Sequence, residues 1–124
     1  MNIIISNSSG KPFYEQIASQ IRGLIFSGEL EEGEALPSMR ALAKDLRISL
    51  ITTKRAYEDL EREGYIETVP GKGCFVAQKN MEVIREEQLR LCEGQLKLAA
   101  QAARSCGIEL RELIEILKIY YCGE

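Results

Sequence analysis

Six basic side chains between positions 40 and 72 are spaced as a phosphate-binding surface would need them. They are Arg40, Lys44, Arg47, Lys54, Arg55 and Lys72. The first three recur at i, i+4 and i+7, which places them on one side of a helix. Two more follow on the next helical segment, and Lys72 stands between two glycines in a turn. Such a set suits the binding of a nucleic-acid backbone, but a solvated helix face would show the same spacing.

The overall charge limits the kind of basic surface that the chain can present. The formal net charge is −3, so positive potential for a phosphate lattice has to come from a local patch. Catalysis finds little support, because the chain has no histidine and its glutamates lie in runs that are typical of solvated faces. The Gly-Lys-Gly around Lys72 lacks the spacing of a phosphate-binding P-loop. We therefore expect a binding protein and not an enzyme.

Cysteine content and hydropathy limit the metal sites, disulfides and membrane spans that the sequence can contain. The four cysteines include no Cys-x-x-Cys pair, so neither a zinc site nor a disulfide framework is indicated, and we expect no cofactor or metal. Reduced thiols are the favoured interpretation; a redox sensor that works through Cys92 or Cys106 is the alternative. The sequence has no apolar run of the roughly 18 residues that a membrane span needs and no signal-peptide pattern, so we expect a cytoplasmic protein without membrane contact.

The elements that must position the basic residues can be read from periodicity and capping signals. Helices are predicted over about 12–27, from Pro37–Ser38 to about residue 46, and from Ser49 to Gly64. The segments YIETV and CFVAQ alternate as strands around a turn at Pro70–Gly73. Three helices followed by a two-stranded hairpin form a winged helix-turn-helix, which would bring the basic residues together on one surface. We assign this domain to residues 1–79.

The remaining residues, 80–124, have a different pattern. Leu89, Cys92, Leu96, Ala99, Ala103 and Cys106 recur at alternating spacings of three and four, as in a heptad seam. A second helix from about Glu109 carries Leu110, Leu113, Ile114, Leu117, Tyr120 and Tyr121 on one side. Two such helices cannot bury this surface alone, so the predicted helical hairpin must pack on the first domain, on a second copy, or on both. The expected fold class is mainly α with a small β-hairpin.

Three ordered motifs in this chain resemble one protein family. The run from Pro12 to Val76 contains SGEL…G..LPS.R.LA, then TT..A...LE.EGYI, then G.G.FV. It resembles the winged helix-turn-helix of GntR-type bacterial transcription regulators. The short two-helix tail is similar to that of the YtrA-like subfamily, which implies a tail that serves dimerisation and target genes that often encode transporters. The dimer interface would then use Leu89, Leu96, Ala99, Ala103, Leu110, Leu113, Leu117 and Tyr121.

The resemblance also implies which residues contact DNA. Carried over position by position, the contacts fall on Arg40, Ser49, Thr52, Arg55, Gly71, Lys72 and Gly73. Lys44 and Lys54 join them from the charge pattern. The sequence departs from the family pattern at Arg47, where glycine is usual, and at Leu50 and Ile51, where polar residues or arginine are frequent. An apolar side chain there could pack on a thymine methyl group.

The function that follows from the resemblance is transcription regulation, most often repression. The predicted partners are double-stranded DNA, bound at an inverted-repeat operator, and a second copy of the chain. A small-molecule effector is not identified, since the tail is too short to enclose a pocket of the usual size. A protein-interaction adaptor is the alternative from another functional class, because winged helices are also used in that way.

Overall fold

The computed structural model describes residues 1–78 and 81–123, and it is mainly helical with one β-hairpin. The helices are α1 (Phe13–Ser27), α2 (Met39–Leu46), α3 (Leu50–Arg62), α4 (Met81–Ser105) and α5 (Leu110–Cys122), and the strands are β1 (Ile66–Val69) and β2 (Gly73–Val76). A short 3₁₀ turn, Asn7–Ser9, precedes α1. This order confirms the predicted fold class. The chain forms two compact units, Met1–Asn80 and Met81–Glu124. The predicted boundary between residues 79 and 80 lies outside the described residues, as does residue 124.

The helix boundaries of the first unit follow from capping residues. Ser38 precedes α2 and its hydroxyl accepts from the Ala41 amide at 3.0 Å, which satisfies one of the orphan N–H groups of the first turn. Ser49 does the same for α3 by accepting from the Thr52 amide at 3.2 Å. Gly28 ends α1 with a φ of 85°, a left-handed conformation that glycine adopts without steric cost. The capping signals of the sequence therefore predict the ends of these helices well.

The core of the first unit lies between α1 and α3. Its fully buried side chains include Ile17 and Ile21 from α1 and Thr53, Ala56, Tyr57 and Leu60 from α3. These residues recur at helical spacing, so each helix buries one stripe and leaves the opposite face to solvent. Tyr65, Ile66 and Val76 extend the core into the hairpin. The outer face of α3 is thus available for binding because the inner face is committed to packing.

The hairpin pairs β1 with β2 in antiparallel register, and a further segment lies beside β2. Val69 opposes Gly73, so the connecting loop is residues 70–72, one residue shorter than the predicted turn. Ala35 forms an isolated bridge with Phe75, and the Leu36 amide donates to the Cys74 carbonyl at 2.9 Å. Residues 29–36 show no strand alternation, so the sequence alone does not predict these bonds. These bonds fix the chain just before α2 to the wing.

The second unit is a pair of helices with extensive apolar surface. Almost all described side chains of α4 and α5 are exposed, including leucines, isoleucines and tyrosines of both helices. Ala103, near the end of α4, is the buried exception in the described part of this unit. No helix within residues 1–78 and 81–123 is long and apolar enough to cross a membrane.

Candidate nucleic-acid interface

The relative orientation of α2 and α3 is fixed by two buried side chains of α3. The Thr53 hydroxyl lies at 3.1 Å from the Met39 carbonyl and at 2.9 Å from the Leu50 carbonyl. The Tyr57 hydroxyl donates to the Pro37 carbonyl at 2.7 Å. Burial, and to a lesser extent the nearby Cys74, raises the pKa of the Tyr57 hydroxyl, which keeps this donor protonated. The start of α2 is thereby held against the first turns of α3.

The turn between these helices reverses through an arginine in a left-handed conformation. Arg47 has φ 57° and ψ 47°. Among the described residues it is the only one other than glycine with a positive φ. The Ile48 amide donates to the Ala43 carbonyl at 3.0 Å, which closes the end of α2. A side chain in this conformation costs about 1–2 kcal/mol compared with the right-handed form. The tight turn is therefore formed at some cost in stability, and it leaves a further cation beside α2.

One crevice joins the start of α2, the first turns of α3 and the wing. It has a volume of about 390 Å³. Its lining comprises Ser38, Met39, Arg40, Leu50, Lys54, Thr68, Val69, Pro70, Gly71, Gly73 and Cys74. Four of the predicted DNA contacts, Arg40, Lys54, Gly71 and Gly73, therefore lie around the same concave surface. They come from three elements that are well separated in the sequence.

Most of the predicted cations near this surface lack an intramolecular counter-charge. Arg40, Lys44 and Lys72 are exposed and form no ion pair with any residue in the described ranges. Lys54 is 3.9 Å from the Glu58 carboxylate, one turn further along α3, where both side chains are well solvated. Such a pair contributes little and can exchange for a phosphate. The Lys72 amide donates a hydrogen bond to the Val69 carbonyl at 2.9 Å, which holds the wing tip in its turn.

Arg55 lies on the other flank of α3 and has a partner that sequence reasoning missed. Its guanidinium carbon is 3.8 Å from the centre of the Tyr14 ring in α1. This cation–π contact orders the arginine while its N–H groups keep their capacity to donate. The hydroxyl oxygens of Ser49 and Thr52, at the start of the same helix, are 2.8 Å apart. The structure thus brings together a wing-side group around Arg40 and Lys54 and separates Arg55 from it.

Comparison with known proteins places this arrangement in a family. The model of the bacterial regulatory proteins of the gntR family matches residues 13–76. The chain belongs to the GntR family. The transcriptional repressor YtrA of Bacillus subtilis (strain 168) is 36% identical over 116 residues, which cover 94% of this chain and 89% of that protein. The subfamily resemblance of the sequence is confirmed by this relative.

Two solved structures give the GntR match a three-dimensional counterpart. A transcriptional antiterminator from Listeria monocytogenes EGD-e superimposes with a TM-score of 0.78 at 30% identity, over 98% of this chain and 90% of that one. The AraR(DBD) in complex with operator ORX1 superimposes with a TM-score of 0.55 at 25% identity, over 62% of this chain and 96% of that one. The GntR winged helix-turn-helix is a DNA-binding domain, and the present chain carries it in its first unit.

The GntR match does not extend to a chemical role for each side chain, and two residues lie outside the predicted set. Leu50 lines the crevice beside Lys54, and Tyr14 orders Arg55. The position of Leu50 on α3 was visible in the sequence, but its apolar character gave no charge signal. Tyr14 lies in α1 and Arg55 in α3, so the periodicity within one helix could not predict their contact.

The second unit of this GntR protein contains an apolar groove between its two helices. The groove has a volume of about 440 Å³. It is lined by Leu96, Ala99, Ala100, Leu110, Leu113, Ile114, Ile116, Leu117 and Tyr120. Five of these, Leu96, Ala99, Leu110, Leu113 and Leu117, belong to the predicted dimer interface. Leu89 and Tyr121 are exposed elsewhere on the hairpin, whereas Ala103 is buried.

Proposed function

We propose that this GntR protein is a transcriptional repressor that binds an inverted-repeat operator as a homodimer. The observation that carries the proposal is the crevice at the start of α3, where two cations from different helices meet beside the wing: Arg40, which has no ion-pair partner among the described residues, and Lys54, whose solvated pair with Glu58 can exchange for a phosphate. A recognition helix of this kind enters the major groove, and its wing follows the adjacent backbone. The relative YtrA, itself described as a repressor, supports this choice.

The proposed DNA contacts divide into two chemical classes. Phosphate oxygens would be bound by the lysines, by Arg40 and by the backbone of the wing glycines, since charged and main-chain donors position a protein without reading sequence. Base edges would be approached by the first turn of α3 and by Arg55. The full proposed set is Arg40, Lys44, Ser49, Thr52, Lys54, Arg55, Gly71, Lys72 and Gly73.

The second unit is proposed to form the dimer. Its groove is lined almost entirely by apolar side chains, and leucines, isoleucines and tyrosines around it are exposed, as is typical of a protein–protein interaction site. A second copy of the same hairpin would cover this surface and bury Leu89, Leu96, Ala99, Leu110, Leu113, Leu117 and Tyr121, whereas Ala103, also in the predicted interface, is already buried in the single chain. Two-fold symmetry would place two recognition helices about 34–36 Å apart, or a multiple of that distance. The resemblance to the YtrA-like subfamily adds transporter genes as proposed targets.

Selection of bound duplexes from a random-sequence pool by the intact protein tests the proposal. We expect an inverted repeat whose half-sites are separated by one or more helical turns. Binding should weaken steeply with salt, because Arg40, Lys44, Lys54 and Lys72 in two subunits allow a slope of log K against log salt of up to about −7. A consensus without two-fold symmetry, or an affinity that hardly changes with salt, would contradict the proposal and favour a protein-binding adaptor.

A further inference from the structure

Two large apolar side chains occupy the first turn of α3, on the surface where the cations converge. Ile51 keeps 79% of its surface exposed and Leu50 keeps 37%. Neither belongs to the core, since the buried face of α3 consists of Thr53, Ala56, Tyr57 and Leu60 further along the helix. Exposing aliphatic surface is unfavourable in water. Their exposure at this position therefore calls for an apolar group in the molecule that the helix binds.

We propose that Ile51 and Leu50 read the 5-methyl groups of thymines in the operator. This inference rests on the proposed DNA-binding function and adds a sequence preference to it. The 5-methyl group of thymine is the apolar feature of the major groove, where the other base edges present hydrogen-bond donors and acceptors. The first residues of a recognition helix are those that reach base edges.

The surroundings of the two side chains support this assignment. Leu50 lines the same crevice as Arg40 and Lys54, so binding of the phosphate backbone by these cations would bring the base edges to Leu50 and to the neighbouring exposed Ile51. Ser49 already spends its hydroxyl on the Thr52 amide and on the Thr52 hydroxyl. The hydroxyls of this turn are thus partly engaged with each other, whereas Ile51 and, to a smaller extent, Leu50 leave apolar surface open to a bound molecule.

The chemistry also excludes the other bases as preferred partners. Leucine and isoleucine side chains have no donor or acceptor, so a guanine, adenine or cytosine edge pressed against them would lose its hydrogen bonds with water and gain none. A thymine methyl group gives up no hydrogen bond when it touches these side chains. The contact removes apolar surface of both the base and the side chain from water. Each half-site of the operator is accordingly expected to carry thymine where the first turn of α3 meets the groove.

Replacement of thymine by deoxyuridine tests the inference, because it removes the methyl group and preserves base pairing. The probe is the duplex that the intact protein selects from a random pool, with one half-site thymine replaced at a time. We expect the affinity to fall by a factor of about four for each methyl group lost at a contacted position. Replacements outside the half-sites serve as the control and should leave the affinity unchanged.

Protein variants assign the effect to the two side chains. Ile51→Ala and Leu50→Ala should each bind thymine and deoxyuridine duplexes equally at the position that the altered residue contacts. Ile51 is exposed, so we expect Ile51→Ala to fold as the parent does, and circular dichroism checks this. The matched control is Ile51→Val, which keeps a branched apolar side chain and should keep the discrimination.

The outcomes distinguish failure of the thymine inference from failure of the proposed DNA-binding function. If the selected duplex is bound but tolerates deoxyuridine at every half-site position, the thymine inference is overturned and the DNA-binding function stands. The same holds if the penalty persists unchanged in both alanine variants. If no duplex is enriched, the proposed function and the inference fall together. A fourfold penalty that disappears in one alanine variant and survives in Ile51→Val supports both.

Discussion

Leu117 offers a direct test of the dimer, because it lines the groove of the second unit without being buried in the single chain. It retains 47% of its accessible surface and lies next to other aliphatic residues of α5. A substitution at this position should leave the hairpin itself intact, since half of the side chain contacts nothing in the subunit. Any large effect on assembly would therefore come from contact with a second copy.

The expected magnitude follows from that exposure. Full burial of a leucine side chain contributes about 1.5–3 kcal/mol, so the half that is still exposed has roughly 1 kcal/mol left to gain. Two-fold symmetry doubles the term, and Leu117→Ala should raise the dissociation constant of the dimer about 30-fold. Leu117→Glu would place two unpartnered carboxylates in an apolar interface at a cost of several kcal/mol each, enough to make the protein monomeric at micromolar concentration.

Sedimentation velocity over a range of protein concentrations measures these changes. Leu117→Met, which conserves volume and apolarity, is the control and should remain dimeric. Operator affinity should fall in parallel with dimerisation, because a single winged domain loses the effective concentration that its partner supplies. The reasoning is refuted if the intact protein sediments as a monomer at micromolar concentration, or if Leu117→Glu remains a dimer.

Three further substitutions probe the winged domain. Lys72→Ala should weaken binding to all duplexes alike and make the salt slope shallower by about two, because a dimer has two wings; Lys118→Ala, outside this domain, should not change the slope. Arg47→Gly should raise the free energy of unfolding by about 0.5–1 kcal/mol in a urea titration, since glycine relieves the left-handed strain and this outweighs its extra unfolded-state entropy; a decrease would contradict the strain argument. Tyr57→Phe should lower stability by about 1–2 kcal/mol by leaving a carbonyl unpaired. The hydroxyl of Tyr57 has its pKa raised above 10.0 on folding, so its stabilising contribution is complete below pH 10 and declines above it; that alkaline decline should be smaller in the variant.

The predictable part of this fold is the part that local physics controls. Ser38 and Ser49 lie directly before helices because their hydroxyls can accept from first-turn amides, and that rule needs no knowledge of tertiary structure. The buried stripe of α3 follows in the same way from its period of 3.6 residues. These signals are short-range, so they could be read from the sequence with the correct register.

The features that escaped prediction depend on partners distant in the sequence. The bridge between Ala35 and Phe75 joins a segment without strand periodicity to β2, and nothing in its local sequence selects that partner. The stacking of Arg55 on Tyr14 likewise joins two helices through one contact. Arg47 differs, because the family resemblance implies a glycine there, and the arginine nevertheless adopts the left-handed conformation that favours glycine. The backbone path of the turn is therefore set by the packing of α2 on α3, which outweighs the preference of the residue.

The distribution of acidic residues explains how a protein with a net charge of −3 can present a surface for DNA. The carboxylates of α3 and its end are paired within the first unit, with Asp59 on Arg62 at 2.5 Å and Glu63 on Arg22 at 3.1 Å. Glu61, also in this region, accepts a hydrogen bond from the Thr68 hydroxyl.

The distance between the acidic end of α3 and its first turn further weakens the effect of these carboxylates on bound DNA. At 1.5 Å per residue, Glu61 lies roughly 16 Å along the helix axis from Leu50. That separation exceeds the screening length of about 8 Å at physiological ionic strength, so the acidic end of α3 acts weakly on a phosphate at its start. The first turn of the helix therefore presents cations and apolar side chains to DNA, while the negative charge of the same helix is paired and screened.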